Sequence, residues 1–111
     1  MEKDWKKYAQ EFGDTFGRLA KGNPEMAKAV VGMAEYDSKG ALDAKTRELI
    51  SLAVAVTTRC EGCIVAHTQA AVKAGASRQE LQETLATAIA LNAGAAAVYS
   101  SRVLEAFDQL S

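Results

Sequence analysis

Both cysteines and the only histidine of the chain lie within eight consecutive positions, as Cys60, Cys63 and His67. On a helix that advances about 100° per residue, steps of three and seven return to one face, so these side chains would be neighbours. Cysteines at this spacing can close a disulfide with little backbone movement, and an imidazole four residues after a thiol can receive its proton. The pattern predicts thiol redox chemistry, with Cys63 as the nucleophile and Cys60 as the resolving thiol.

The residues around the first cysteine predict the start of a helix. Thr58 and Glu61 have the spacing of a capping box, which would place Cys60 at the second helical position and Cys63 one turn in. Unpaired N–H groups and the positive end of the helix dipole favour a thiolate there. The charge of Glu61 opposes thiolate formation at the adjacent Cys60. We therefore expect Cys63 to be the more reactive thiol.

Other interpretations of these residues stay open on spacing alone. Free cysteine behaves as a small apolar residue, so the pair could fill a core. Two thiolates, an imidazole and a carboxylate could also complete a tetrahedral zinc site, although structural zinc usually takes its ligands from loops or two knuckles. A non-enzymatic oligomeric scaffold with redox-responsive cysteines is a further alternative.

The elements that position these residues are predicted to be helices throughout, because apolar residues recur at steps of three and four and no stretch alternates as a strand would. Helix starts are predicted near Trp5, Pro24, Asp43, Thr58 and Ser77. The last helix either ends near Gly94 or continues through it. The expectation is an all-α fold, a compact bundle of about six helices.

Each predicted helix has an apolar face that we expect to be buried. Segment 49–56 is apolar on every side except at Ser51, so it should be the central helix. The other faces consist of Trp5, Tyr8, Phe12, Phe16 and Leu19; Met26, Val30 and Met33; Leu81, Leu85, Ala88 and Ile89; and Tyr99, Val103, Phe107 and Leu110. This is more apolar surface than one 111-residue subunit can cover, which predicts a homo-oligomer.

The composition is that of an ordinary globular protein, with 49% apolar and 24% charged residues. We expect one domain over residues 1–111. The formal charge of -1 and the interspersed signs make nucleic acid an unlikely partner. No stretch has the roughly 18 apolar residues of a membrane span, and the start has no apolar run behind a basic stretch, so a cytoplasmic protein is expected.

The order Glu48, then Cys60-x-x-Cys63-x-x-x-His67, on consecutive helices resembles the motif of the alkylhydroperoxidase D-like branch of the carboxymuconolactone decarboxylase family. The resemblance covers residues 43–94. It implies an all-helical subunit that assembles into trimers or hexamers. Glu48 is chosen over Glu61 as the third member of the site only because of this resemblance.

The resemblance also implies roles for these residues. Cys63 would be the peroxidatic thiol, Cys60 the resolving thiol, and His67 and Glu48 the proton relay. The implied activity is that of an antioxidant peroxidase: a hydroperoxide substrate, a dithiol reductant such as a lipoyl or thioredoxin-like protein, and neither an organic cofactor nor a metal. The fuller family pattern has a further histidine where this chain has Gly62, which bears on the efficiency of proton transfer. Decarboxylation is the less favoured activity, because the decarboxylases proper generally lack the cysteine pair.

Overall fold

The computed structural model describes residues 3–111 and consists of five α-helices. They are α1 (Trp5–Gly22), α2 (Pro24–Asp37), α3 (Ala44–Thr58), α4 (Glu61–Lys73) and α5 (Arg78–Leu110). No strand occurs within residues 3–111, so the all-α prediction is confirmed. There are five helices rather than about six, because α5 continues through Gly94 as one helix of 33 residues. The expected domain 1–111 includes residues 1 and 2, which lie outside the described residues.

Local signals account for most helix starts. Pro24 occupies the first turn of α2, although the Asn23 side chain makes no capping hydrogen bond. The Asp43 carboxylate accepts a hydrogen bond of 2.8 Å from the Thr46 N–H at the start of α3. At the start of α5, Ser77 and Glu80 form both hydrogen bonds of the predicted capping box.

The core is small and lies where α3 packs against α4 and α5. Its buried apolar side chains are Leu52 and Ala55 of α3, Val65 and Ala71 of α4, and Ala88 of α5. Helix α1 contacts α4 on its other side, and α2 contacts α1. Helix α3 is therefore the central helix, as predicted, because it alone packs against both α4 and α5.

Several faces that were expected to be buried are exposed. Met26, Val30 and Met33 of α2 are exposed, and the expected inward residues of the last segment, Tyr99, Val103, Phe107 and Leu110, are 65–87% exposed. Leu85 and Ile89 of α5 are exposed as well, as are Trp5 and Leu19 at the two ends of the α1 stripe. On α3, Leu52 and Ala55 are buried, but Ile50 and Val54 are half exposed, so the helix is not buried on every side. The residues of α2 and of the second half of α5 are exposed because these segments extend beyond the core that α3, α4 and the first half of α5 form.

The overall dimensions reflect this extension. The radius of gyration is 18.0 Å, whereas about 13 Å is typical of a compact domain of this length. The bundle is thus more open than the compact one expected. In the described part of the chain, no helix is both long enough and apolar enough to span a membrane.

Candidate active site

The turn between α3 and α4 positions the first cysteine, and it differs from the predicted one. Thr58 is the last residue of α3, and its hydroxyl donates back to the Val54 carbonyl at 3.0 Å, so it does not cap α4. Arg59 adopts a left-handed conformation (φ 55°). The Arg59 N–H then donates to Val56 and the Cys60 N–H to Ala55, which is the Schellman pattern of a helix end.

Cys60 is the N-cap of α4, and Cys63 is the third residue of the helix. The Cys60 sulfur accepts a hydrogen bond of 3.1 Å from the Cys63 N–H. The predicted capping box of Thr58 and Glu61 is therefore wrong, and the Glu61 carboxylate instead pairs with the Lys3 ammonium. The positive end of the helix acts on the sulfur of Cys60 as well as on that of Cys63.

Cys60 and Cys63 form a disulfide, with their Cα atoms 5.2 Å apart. Both side chains are partly buried. The predicted proximity of the two sulfurs is confirmed. Since each sulfur is bonded to the other, neither is a free thiol in this state.

Gly62, between the two cysteines, is buried against α1. A Cβ atom placed on Gly62 would lie 2.5–3.0 Å from three carbons of the Phe12 ring, a separation that atoms do not tolerate. Phe12 thus occupies the space that a side chain at this position would need. In the sequence, Phe12 is only one member of an apolar face, and no local signal relates it to the cysteines.

Glu48 of α3 and His67 of α4 are joined by a hydrogen bond of 2.6 Å between Oε2 and Nδ1. The Glu48 side chain is 19% exposed and that of His67 is 40% exposed. With an ionised carboxylate, which only accepts hydrogen bonds, Nδ1 would be the donor, and Nε2 of a neutral ring would carry the lone pair. The arrangement leaves Nε2 free to accept a proton.

A cavity of about 250 Å³ opens in front of Cys63 and His67. It is also lined by Ile50, Ser51, Val54, Ala55 and Thr58, all from α3, whereas Cys60 is not among the lining residues. The Ser51 hydroxyl donates to the Arg47 carbonyl, as Thr58 does to Val54, so both donors are already used. A molecule in this cavity meets a mostly apolar wall on one side and Cys63 with His67 on the other. This wall was not predicted from the sequence, although Ser51 and Thr58 are seven residues apart and so lie on one face of α3.

Charged side chains at the starts of α3 and α5 pair with each other and with backbone N–H groups. Lys45 of α3 and Glu80 of α5 form an ion pair of 2.8 Å. The Lys45 ammonium and the Ser77 N–H hold the pKa of Glu80 below its ordinary value, and Glu80 raises the pKa of Lys45. The Thr46 N–H holds the pKa of Asp43 below its ordinary value. The Lys45–Glu80 ion pair connects the start of α3 to the start of α5.

The described residues 3–111 contain no group of three or more His, Cys, Asp or Glu side chains arranged to hold a metal ion. The alternative zinc site would consist of Cys60, Cys63, His67 and Glu48. In the disulfide state the two sulfurs are bonded to each other, and the Glu48 carboxylate is engaged with Nδ1 of His67.

Comparison with known proteins identifies the family. A sequence model of the carboxymuconolactone decarboxylase family matches residues 24–106, which include the cavity and both cysteines. The chain belongs to this family. A carboxymuconolactone decarboxylase family protein from Legionella pneumophila, whose apo crystal structure is known, superposes with a TM-score of 0.76 at 36% identity over 97% of both chains.

Relatives of similar length match 96–100% of this chain. An uncharacterised protein of Haemophilus influenzae is 56% identical over 108 residues, which is 96% of each chain. An uncharacterised protein of Cupriavidus necator is 35% identical over 100% of this chain and 99% of its own length. The family is therefore shown by sequence and by structure, and the resemblance on which Glu48 was chosen is consistent with it.

Proposed function

We propose that this carboxymuconolactone decarboxylase family protein is a thiol-dependent hydroperoxidase, or a related disulfide oxidoreductase, of the alkylhydroperoxidase D-like branch. One observation carries the proposal: Cys63 of the Cys60–Cys63 disulfide lies in the same cavity as His67, whose Nδ1 is hydrogen-bonded to Glu48. A redox-active pair, a base and a group that orients the base are thus within one site.

The peroxide step begins from the reduced dithiol. Glu48 holds Nδ1–H of His67, so Nε2 receives the thiol proton of Cys63 directly or through one water. The Cys63 thiolate attacks the distal oxygen of the hydroperoxide, and the O–O bond breaks. The leaving alkoxide takes the proton from His67 and departs as an alcohol, while Cys63 is oxidised to a sulfenic acid.

The resolving step uses the second thiol. The Cys60 sulfur attacks the sulfenic sulfur of Cys63, the hydroxyl leaves as water with the Cys60 proton, and the disulfide forms. One thiolate of a dithiol reductant then attacks Cys63, which faces the cavity, to form a mixed disulfide, and Cys60 leaves as a thiolate that takes up a proton. The Cys63 N–H at 3.1 Å stabilises that leaving group. The second thiol of the reductant attacks its own sulfur in the mixed disulfide and releases Cys63 as a thiol. The reductant ends as a disulfide, so electrons and protons balance.

The proposed partners follow from this chemistry. The reductant is a dithiol, such as a lipoyl group or a thioredoxin-like protein, and the substrate is a hydroperoxide. The resemblance to the alkylhydroperoxidase D-like branch supports a homo-oligomer, a trimer or a hexamer, that acts as a cytoplasmic antioxidant peroxidase. We also propose that residues 1–111 form one domain that uses no organic cofactor and does not bind nucleic acid.

Thiol titration of the reduced protein before and after one equivalent of an alkyl hydroperoxide tests the proposal. Rapid loss of two thiols per chain, without bound metal in the same sample, is the expected result. Stoichiometric zinc with protected thiols would support a metal site instead. Slow or absent thiol loss with metal-free protein would contradict the peroxidase and leave the decarboxylase activity that names the family.

A further inference from the structure

The second half of α5 carries an apolar stripe that nothing in the described chain covers. Along α5, steps of three and four connect Ala88 and Asn92 to the residues that we call the α5 stripe: Tyr99, Val103, Phe107 and Leu110. In the first half of α5 this face packs on α3, where Ala88 is buried and Asn92 donates to the Thr57 hydroxyl at 2.9 Å. In the second half the same face is 65–87% exposed.

The solvent-accessible surface of the single chain is larger than that expected of a folded monomer of its mass. The chain exposes 8918 Å², whereas a folded monomer of 11.8 kDa exposes about 5,900 Å². The excess of about 3,000 Å² is several times the roughly 800 Å² that each partner contributes to an interface of standard size. The chain therefore has more surface to bury than one standard interface would take. Because most soluble assemblies are symmetric homo-oligomers, the natural partner is a second copy of the chain.

A groove on the same chain matches the α5 stripe in chemistry and length. This α3 groove is about 360 Å³ in volume and is lined by Ile50, Ala53, Val54, Thr57, Thr87, Ala88, Leu91 and Asn92, none of which is charged. An adjoining hollow extends it along α3 to Thr46. At 1.5 Å per residue, both segment 46–57 and segment 99–110 are about 16 Å long.

The α3 groove also borders the reactive cavity. Ile50 and Val54 line both of them, and each is about half exposed, 49% and 56%. We propose that a second copy of this chain seats its α5 stripe in the α3 groove and so forms the missing wall of the cavity in front of Cys63. The assembly then determines how large a molecule reaches the sulfur, whatever the reaction at that sulfur.

Photo-cross-linking of the full-length protein tests the contact directly. Phe107 is replaced by p-benzoylphenylalanine, and ¹⁴N-labelled and ¹⁵N-labelled chains are mixed before irradiation. The expected product is a mixed-isotope cross-link to the tryptic peptide that spans residues 48–59, because that peptide contains the groove floor. Cross-links only within one chain, only to another segment, or none at all would overturn the proposal.

A matched pair of variants tests the consequence for the site. Val103→Glu puts a charge on the α5 stripe, and Ser101→Glu puts the same charge on the opposite face of the same helix. We expect Val103→Glu to raise the dissociation constant of the assembly by about 30-fold, or about 2 kcal/mol, in sedimentation velocity. Ser101→Glu should assemble as the wild type does. Circular dichroism confirms that both remain helical.

In the dissociated Val103→Glu protein, Cys63 of the reduced chain should react several-fold faster with a bulky maleimide than in the wild type. An unchanged alkylation rate in a dissociated protein would overturn the claim that the partner walls the cavity. Equal assembly of all three proteins would overturn the contact itself. Neither outcome depends on whether the protein turns over hydroperoxides.

Discussion

Glu48 and His67 lie 19 positions apart in the sequence, yet Oε2 and Nδ1 are 2.6 Å apart across the contact between α3 and α4. An ionised carboxylate at this distance would fix the hydrogen on Nδ1, and it would stabilise the imidazolium once Nε2 accepts a proton. Glu48 is more buried than His67, so the carboxylate lies on the core side of the pair and the imidazole ring remains accessible from the cavity.

Replacing Glu48 by glutamine tests this relay. The amide keeps the size of the side chain but removes the charge that stabilises imidazolium. We expect kcat/KM for an alkyl hydroperoxide to fall by about 100-fold, the lower end of the contribution of general base catalysis. Glu83→Gln, at an exposed position of α5, is the control and should leave kcat/KM unchanged. Equal activity in both variants would contradict a role for Glu48.

Single serine substitutions separate the two cysteines. Cys63→Ser should abolish peroxide turnover with a dithiol reductant, because Cys63 faces the cavity. Cys60→Ser should permit one oxidation and then stop, because no thiol remains to resolve the sulfenic acid. Mass spectrometry after dimedone labelling detects that sulfenic acid on Cys63. Turnover that survives in the double serine variant would exclude the redox mechanism.

Local sequence signals predicted most helix boundaries but not the cap of α4. Pro24, Asp43 and Ser77 each act on the residues beside them, so their effect could be anticipated. Thr58 had two choices, since a threonine hydroxyl can cap the next helix or bond back to a carbonyl four residues earlier. The left-handed Arg59 decides between these choices, and nothing in the sequence around Arg59 indicates that conformation.

The parts of the site that span separate helices were harder to predict. Cys60, Cys63 and His67 are linked by helical spacing alone, whereas the pairing of His67 with Glu48 was reached only through the family resemblance. Periodicity identifies which face of a helix is apolar, but it does not say what covers that face. This is why the face that contains Val103 was expected to be buried and is exposed in a single chain.

The ion pair of Lys45 and Glu80 and the cap at Asp43 predict how stability depends on pH. Each carboxyl has a pKa below its ordinary value of 4.5 or 3.8, so its contribution to stability is fully present above those values. It is lost as pH falls through the lowered pKa of the folded state. The melting temperature should therefore decline below about pH 4.5.

A double variant isolates these groups. Asp43→Asn retains a capping oxygen and Glu80→Gln retains the side-chain length, but neither new side chain titrates. Relative to the wild type, the double variant should melt at a lower temperature at pH 7 and show a flatter decline between pH 5 and pH 3. Thermal melts across that pH range measure both effects. Parallel curves for the two proteins would show that other carboxyls determine the acid sensitivity.

The close contact between Gly62 and the Phe12 ring predicts that a side chain at position 62 destabilises the protein. Removing the Phe12 ring should relieve part of this effect. Gly62→Ala would place a Cβ atom 2.5–3.0 Å from the Phe12 ring, and overpacking of this kind costs about 1–3 kcal/mol in the free energy of unfolding.

Gly94→Ala is the matched control, because the same methyl there meets no atom within 4 Å. In the middle of α5 it should stabilise the protein by about 0.5–1 kcal/mol. Adding Phe12→Ala to Gly62→Ala should make the glycine substitution less costly than it is in the wild-type background. Urea unfolding of the four proteins and of Phe12→Ala completes the cycle, and additive free energies would show that the ring and Gly62 do not interact.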